Sequence, residues 1–206
     1  MLNSVFMLFT IAFFTGLSIV FTTRPGLLAD ENGLYENIQL ALIALAFVLA
    51  LVNALSHKQR KLIYISTGFA LLSVAFFLRE LELRDTDFPS WLIYIASPSG
   101  SAVITTLLFL PFIVYSLRHF LFAWQSARCF LKTQYFWMML LAAGFLFAGG
   151  VFDREWITDE YGLFFEEFFE AAGYYTLVWA LFKMTPQQRA HDSRIYRKTR
   201  DYRCFD

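Results

Sequence analysis

The sequence predicts an all-α polytopic membrane protein: a six-transmembrane-helix bundle with short loops and both termini cytoplasmic. Three observations carry that prediction. The 206 residues are 58% hydrophobic and 19% aromatic, with 25 Phe, a composition too oily for a soluble domain of this length. Six apolar stretches, at 3–22, 35–55, 62–79, 102–122, 135–152 and 161–182, each approach the ~20 residues that a helix needs to cross a hydrocarbon core about 30 Å thick. Lysine and arginine are also partitioned between alternate connections. One side holds three in 56–61, three in 118–134 and seven from Lys183 onward, 13 in all, and the other holds only Arg24, Arg79, Arg84 and Arg154. The positive-inside rule then places both termini in the cytoplasm. Of the 17 acidic residues only Asp192, Asp201 and Asp206 fall on that side, so the outer half is acidic.

The first stretch has no Lys or Arg in Met1-Leu2-Asn3-Ser4-Val5-Phe6, and Phe21-Thr22-Thr23-Arg24 offers no small-x-small cleavage site. It is expected to remain as a span. A turn-rich connection, Arg24-Pro25-Gly26 and Asp30-Glu31-Asn32-Gly33, leads to the second span, whose beginning carries Asn32, Glu36 and Gln39 on one face. The third span ends in Phe77-Leu78-Arg79-Glu80-Leu81-Glu82 and the fifth in Phe152-Asp153-Arg154-Glu155. Phe-x-Arg-Glu thus recurs at the outer ends of two spans that run the same way, as a repeated two-helix unit would leave it.

Between Pro89 and Pro98 the apolar segment Ser90 to Ala96 is too short to span, and Trp91 and Tyr94 suit it to the outer interface, where it would roof the acidic site. Ser97-Pro98-Ser99-Gly100-Ser101 supplies capping residues to the fourth span. In the fifth, Gly144, Ala148, Gly149 and Gly150 allow close helix approach. The chain therefore divides into a six-helix transmembrane domain, 1–184, and a basic cytoplasmic tail, 185–206. Both cysteines, Cys129 and Cys204, fall on the assigned cytoplasmic side, where thiols stay reduced and no disulfide is expected.

The sixth span carries the chemistry. Glu166, Glu167 and Glu170 lie within it, and at 100° per residue they share an arc of about 100° with Tyr174. Three unpaired carboxylates in hydrocarbon would cost ~2.5–3.5 kcal/mol each at the bilayer centre, so this face must look inward, to partners, protons or a cation. Glu36, Arg79, Glu80, Glu82, Asp153, Arg154 and Glu155 arrive at the same level from three other spans. Two arginines do not neutralise that many acids.

Four readings fit. All-carboxylate clusters suit hard cations, so Glu166, Glu167, Glu170 and Asp153 are candidate ligands for Mg²⁺, Ca²⁺ or Mn²⁺. Beside them Glu166, Glu170 and Glu36 are candidate catalytic carboxylates, and Arg79, Arg154 and Tyr174 candidate contacts for a lipid headgroup in a metal-assisted headgroup enzyme. Graded buried glutamates equally suit a proton or cation transporter or relay. An accessory subunit that binds lipid or another membrane protein, and a purely structural ion-pair network, complete the set.

Haem is not expected, since His57 and His119 sit beside Lys58 and Arg118 as interfacial anchors. Expected partners are membrane lipids, with a second copy of the chain or a partner membrane protein to complete the bundle, and no nucleic acid. The expected location is a bacterial inner membrane.

Overall fold

The computed structural model describes residues 34–81, 88–152 and 162–185, and every regular element among them is helical. In chain order these are α1 Leu34–Ser56, α2 Arg60–Glu80, α3 Ser90–Ala96, α4 Pro98–Arg118, α5 Phe120–Leu131, α6 Gln134–Phe152 and α7 Gly162–Met184. Four of them, α1, α2, α4 and α6, are long and apolar enough to cross a membrane. With 23 residues, α7 is about 35 Å long, enough to cross as well, although its three glutamates set it apart in composition. The expected span at 3–22 and the basic tail beyond Thr185 lie outside the described residues.

Side-chain pairings fix the relative directions of the helices. Gln39 reaches Glu167, Asn53 reaches Leu181 and His57 reaches Met184, so residue numbers on α1 and α7 rise together and the two helices are parallel. By the same reasoning α2 is antiparallel to α7, through Arg79 with Glu170 and Phe76 with Tyr174. Helix α4 is antiparallel to α2, through Tyr64 with Ser116 and Gly68 with Phe112. Residues on α6 and α7 likewise pair in opposite order, Phe152 with Phe165 and Phe145 with Phe169. These directions give the described helices one basic end and one acidic end.

Helix α7 is the hub. It packs against α6 on one side and α1 on the other, and α1 in turn packs on α2. Residues 170–178 of α7 are all buried, and Leu177, Val178, Ala180, Leu181 and Met184 join Ala46, Ala50, Leu62, Ala70, Met139 and Ala142 in one core. The α6 seam against α7 runs through Tyr135, Met139, Ala142 and Gly149, the spacing of one helical face. Of the small residues expected to allow close approach, Gly149 does so, whereas Gly144 and Gly150 have nothing within 4 Å of where a Cβ would stand.

Two features depart from expectation. The fourth span was placed at 102–122 and followed by a loop, yet α4 begins at Pro98 with Ser97 as its N-cap, the side chain accepting from the Gly100 N–H at 3.1 Å. It ends at His119, whose φ of −115° and ψ of 44° leave the helical region, and α5 begins directly after. Helix α5 buries Ser126, Cys129 and Phe130 and exposes Phe120, Leu121 and Trp124, the two-faced pattern of a helix lying at an interface. Its brevity and single basic residue hid it among loop signals.

Cys129 is the second departure: it is held in a disulfide, against the expectation of reduced thiols. Compartment alone does not decide pairing, because two sulfurs must also come within bonding geometry, and sequence spacing does not reveal that.

Candidate functional site

Each glutamate of α7 meets a different environment, because α7 is gripped on three sides. From α2, the last turn brings Arg79 and Glu80 to the acidic end. Arg79 Nη2 donates to Glu170 Oε1 at 2.8 Å, and its Nε lies 3.5 Å from Glu80 Oε1. That same Glu80 oxygen accepts the Tyr174 hydroxyl at 2.8 Å. The result is a closed chain, Tyr174 to Glu80 to Arg79 to Glu170, which begins and ends on α7 one helical turn apart. Tyr174 and Glu170 are buried, and the ring of Phe76 meets Tyr174 edge-on at 5.6 Å. The Arg79 side chain remains 54% exposed, so the network opens to its surroundings at the guanidinium.

From α1, Gln39 is 1% exposed and its Nε2 donates to Glu167 Oε2 at 2.6 Å, with the Glu167 carbonyl a longer 3.4 Å away. Its partner is therefore a neutral amide, while Glu170 has a guanidinium. From α6, Gly149 admits the Glu170 side chain: a Cβ there would stand 2.8 Å from Glu170 Cγ and 3.2 Å from the Glu166 carbonyl oxygen. Rings of Phe145, Phe152, Phe165 and Phe169 stack beside this crossing at 5.5 to 6.4 Å between centroids. Apolar walls of this kind lower the local dielectric and strengthen the polar contacts they enclose.

The sequence-derived candidates separate accordingly. Arg79, Glu170 and Tyr174 come together, with Glu167 one turn toward the acidic end. Glu166 is half-buried on the same helix, and Glu36 lies one turn before Gln39 on α1. Asp153, Arg154, Glu155 and Glu82 lie outside the described residues. Among the described residues no group of three or more His, Cys, Asp or Glu side chains is arranged to hold a metal ion. The short helix α3 exposes Trp91 and Tyr94 and packs on α4 and α2.

Three α1 residues were not assigned a role from sequence. Gln39 binds Glu167, Asn53 Nδ2 donates to the Leu181 carbonyl at 2.8 Å, and His57 Nε2 lies 3.0 Å from the Met184 carbonyl. Asn53 and His57 satisfy carbonyls in the last turn of α7, which has no following turn to bond them. His57 is buried in this role rather than reaching toward an interface. Their spacing held a signal, since residues 39, 53 and 57 fall within about 40° of one another on a helix, a polar stripe on an otherwise apolar span. Comparison with protein-family models, curated proteins and solved structures finds no match.

Proposed function

We propose that this chain is an integral membrane protein of a bacterial inner membrane, with cytoplasmic termini, whose α7 carboxylates form an outward-facing cation-binding site, the proton being the cation it is best built for. One observation carries this reading. Among the described residues, Glu80, Glu167 and Glu170 surround one guanidinium, and Glu167 is bonded to the neutral amide of Gln39. Three carboxylates against one arginine leave two formal negative charges in a low-dielectric setting, and such a balance draws in a positive charge.

The geometry favours a proton over a directly chelated metal because the carboxylates do not converge. Glu80 and Glu170 are turned toward Arg79, while Glu167 is turned toward α1. Relay through the site would use Glu167 as the carboxyl that gains and loses the proton, with Gln39 able to present either its N–H or, on flipping, its carbonyl. Glu36, Glu166, Glu80, Glu170 and Arg79 are the charged groups that set the field around it. The metal-assisted headgroup enzyme depends on Asp153 and Arg154, whose placement is not described.

Infrared difference spectra of the protein in lipid, taken between acid and alkaline pH, test this reading. A carboxylic-acid band that titrates and is lost in Glu167→Gln is the expected result. Melting in millimolar Mg²⁺, Ca²⁺ or Mn²⁺ against chelator provides the metal arm. A protein with no titrating carboxyl and no divalent response would leave the second reading, a structural clamp. That reading has its own support, since Arg79 with Glu170 and Tyr174 with Glu80 tie α2 to α7.

A further inference from the structure

At the other end of the bundle, a cavity of about 360 Å³ opens between α2, α4 and α5, lined by Arg60, Ile63, Tyr64, Thr67, Phe112, Tyr115 and Phe122. Its size falls in the range of small-molecule sites. The walls are fixed rather than incidental. Ser116 spends its hydroxyl proton on the Phe112 carbonyl at 2.6 Å, so the Tyr64 hydroxyl is the donor in the 2.7 Å bond between Tyr64 and Ser116. Tyr64 stacks on Phe112 with centroids 4.8 Å apart and meets Phe122 edge-on at 5.7 Å. Gly68 lets Phe112 settle against α2, since a Cβ there would stand 3.3 Å from the ring.

Charge specifies the occupant. Arg60, exposed at the start of α2, is the charged residue of the lining. Around it at this end stand Lys58, Lys61, Arg118, Arg128, Lys132 and Lys183, and residues 53–63, 116–134 and 181–185 include no Asp or Glu. An apolar, aromatic slot beneath a guanidinium, in a field of one sign and at the level of an interfacial helix, matches an amphipathic anion. We infer that this cavity seats one anionic phospholipid from the leaflet at the basic end, its phosphate on Arg60 and acyl chain carbons against Ile63, Thr67 and Phe112. This site is separate from the acidic one, on which it does not depend.

The test uses the full chain in phosphatidylcholine nanodiscs into which phosphatidylglycerol is titrated, with melting temperature and native mass spectrometry as readouts. Wild type should melt higher as phosphatidylglycerol rises and should retain one such lipid. Arg60→Gln, at an exposed position that leaves packing intact, should weaken the response about tenfold in lipid concentration, and Arg60→Lys should keep most of it. Thr67→Phe, which fills the slot, should abolish retention even though every basic residue remains, and Glu167→Gln should change nothing. An equal response to phosphatidylcholine, a response undiminished in Arg60→Gln, or the same shift from inorganic phosphate alone would each overturn the assignment. The first two would reduce it to general attraction at a basic surface, and the third to an anion site without a chain slot.

Discussion

Helices α4 and α7 are nearly equal in length, at 21 and 23 residues, and opposite in almost every other respect. Helix α4 has one charged residue, Arg118 at its end, and is almost uncovered, with 6% of its apolar window buried. Helix α7 contains three glutamates and is enclosed along residues 170–178. In water the apolar helix would be the buried one. In a bilayer the preference reverses, because acyl chains solvate leucine as well as a protein core does, and only packing and polar contacts hold helices together. Position in this fold is thus set by which helix carries groups that lipid will not accept.

The sharpest way to break the comparison is to truncate the hub. Tyr174→Ala removes a fully buried ring and the donor to Glu80, and should cost about 3–5 kcal/mol of unfolding free energy measured in mixed micelles. Tyr174→Phe, which keeps the ring and loses only the hydroxyl bond, should cost about 1 kcal/mol. If the two variants were equally stable, α7 would not be packed as described.

Second in size is Arg79→Ala, which strips Glu170 of its partner while Glu170 stays 5% exposed. Breaking a fully buried pair costs about 3–5 kcal/mol, but Arg79 is half exposed, and about 2 kcal/mol is the expected loss here. Pairing it with Glu170→Gln should recover part of the loss, because the uncompensated charge is then gone. A double variant no better than Arg79→Ala would mean that the guanidinium acts through Glu80 instead.

Much of this arrangement was legible before any coordinates. The oily composition and the stretches at 35–55, 62–79 and 135–152 correspond to α1, α2 and α6 within a few residues, because long charge-free runs leave helix as the one structure that satisfies its own backbone. Sharing one face gave Glu166, Glu167, Glu170 and Tyr174 as a group, and the cost of charge in lipid turned that face inward. The identity of each partner was not legible. Phe-x-Arg-Glu marks Arg79 and Arg154 alike, and only packing shows Arg79 reaching Glu170. Polar residues scattered singly along an apolar span, as Gln39, Asn53 and His57 are, look like noise until the helix they face is known. The break at His119 escaped notice because α4 and α5 together read as one uninterrupted apolar run.

A third, smaller effect sharpens the role of that polar stripe. Asn53→Leu removes the bond to the Leu181 carbonyl and should cost about 0.6 kcal/mol, the usual worth of an interhelical hydrogen bond in lipid. Asn53 Oδ1 is buried with no partner, and losing it recovers some of the desolvation cost, so the net change should fall at or below that figure. A loss of several kcal/mol would show that Asn53 does more than close the end of α7.

The smallest expected effect lies on α4, and it is the one that tests the comparison from the other side. Leu107, Leu110 and Leu117 are 62, 51 and 69% exposed, so in lipid their side chains exchange one apolar neighbour for another on unfolding. Leu110→Ala and Leu117→Ala should each change stability by less than about 0.5 kcal/mol, an order of magnitude below Tyr174→Ala. The same substitutions become costly only where protein covers this face, since truncation then leaves a cavity that lipid does not fill. Measuring both variants in dilute and in concentrated nanodisc or micelle preparations separates the two cases. Small losses at every protein concentration keep α4 as the lipid-facing wall, whereas a loss above about 2 kcal/mol that grows with protein concentration would place a second copy of the chain against it.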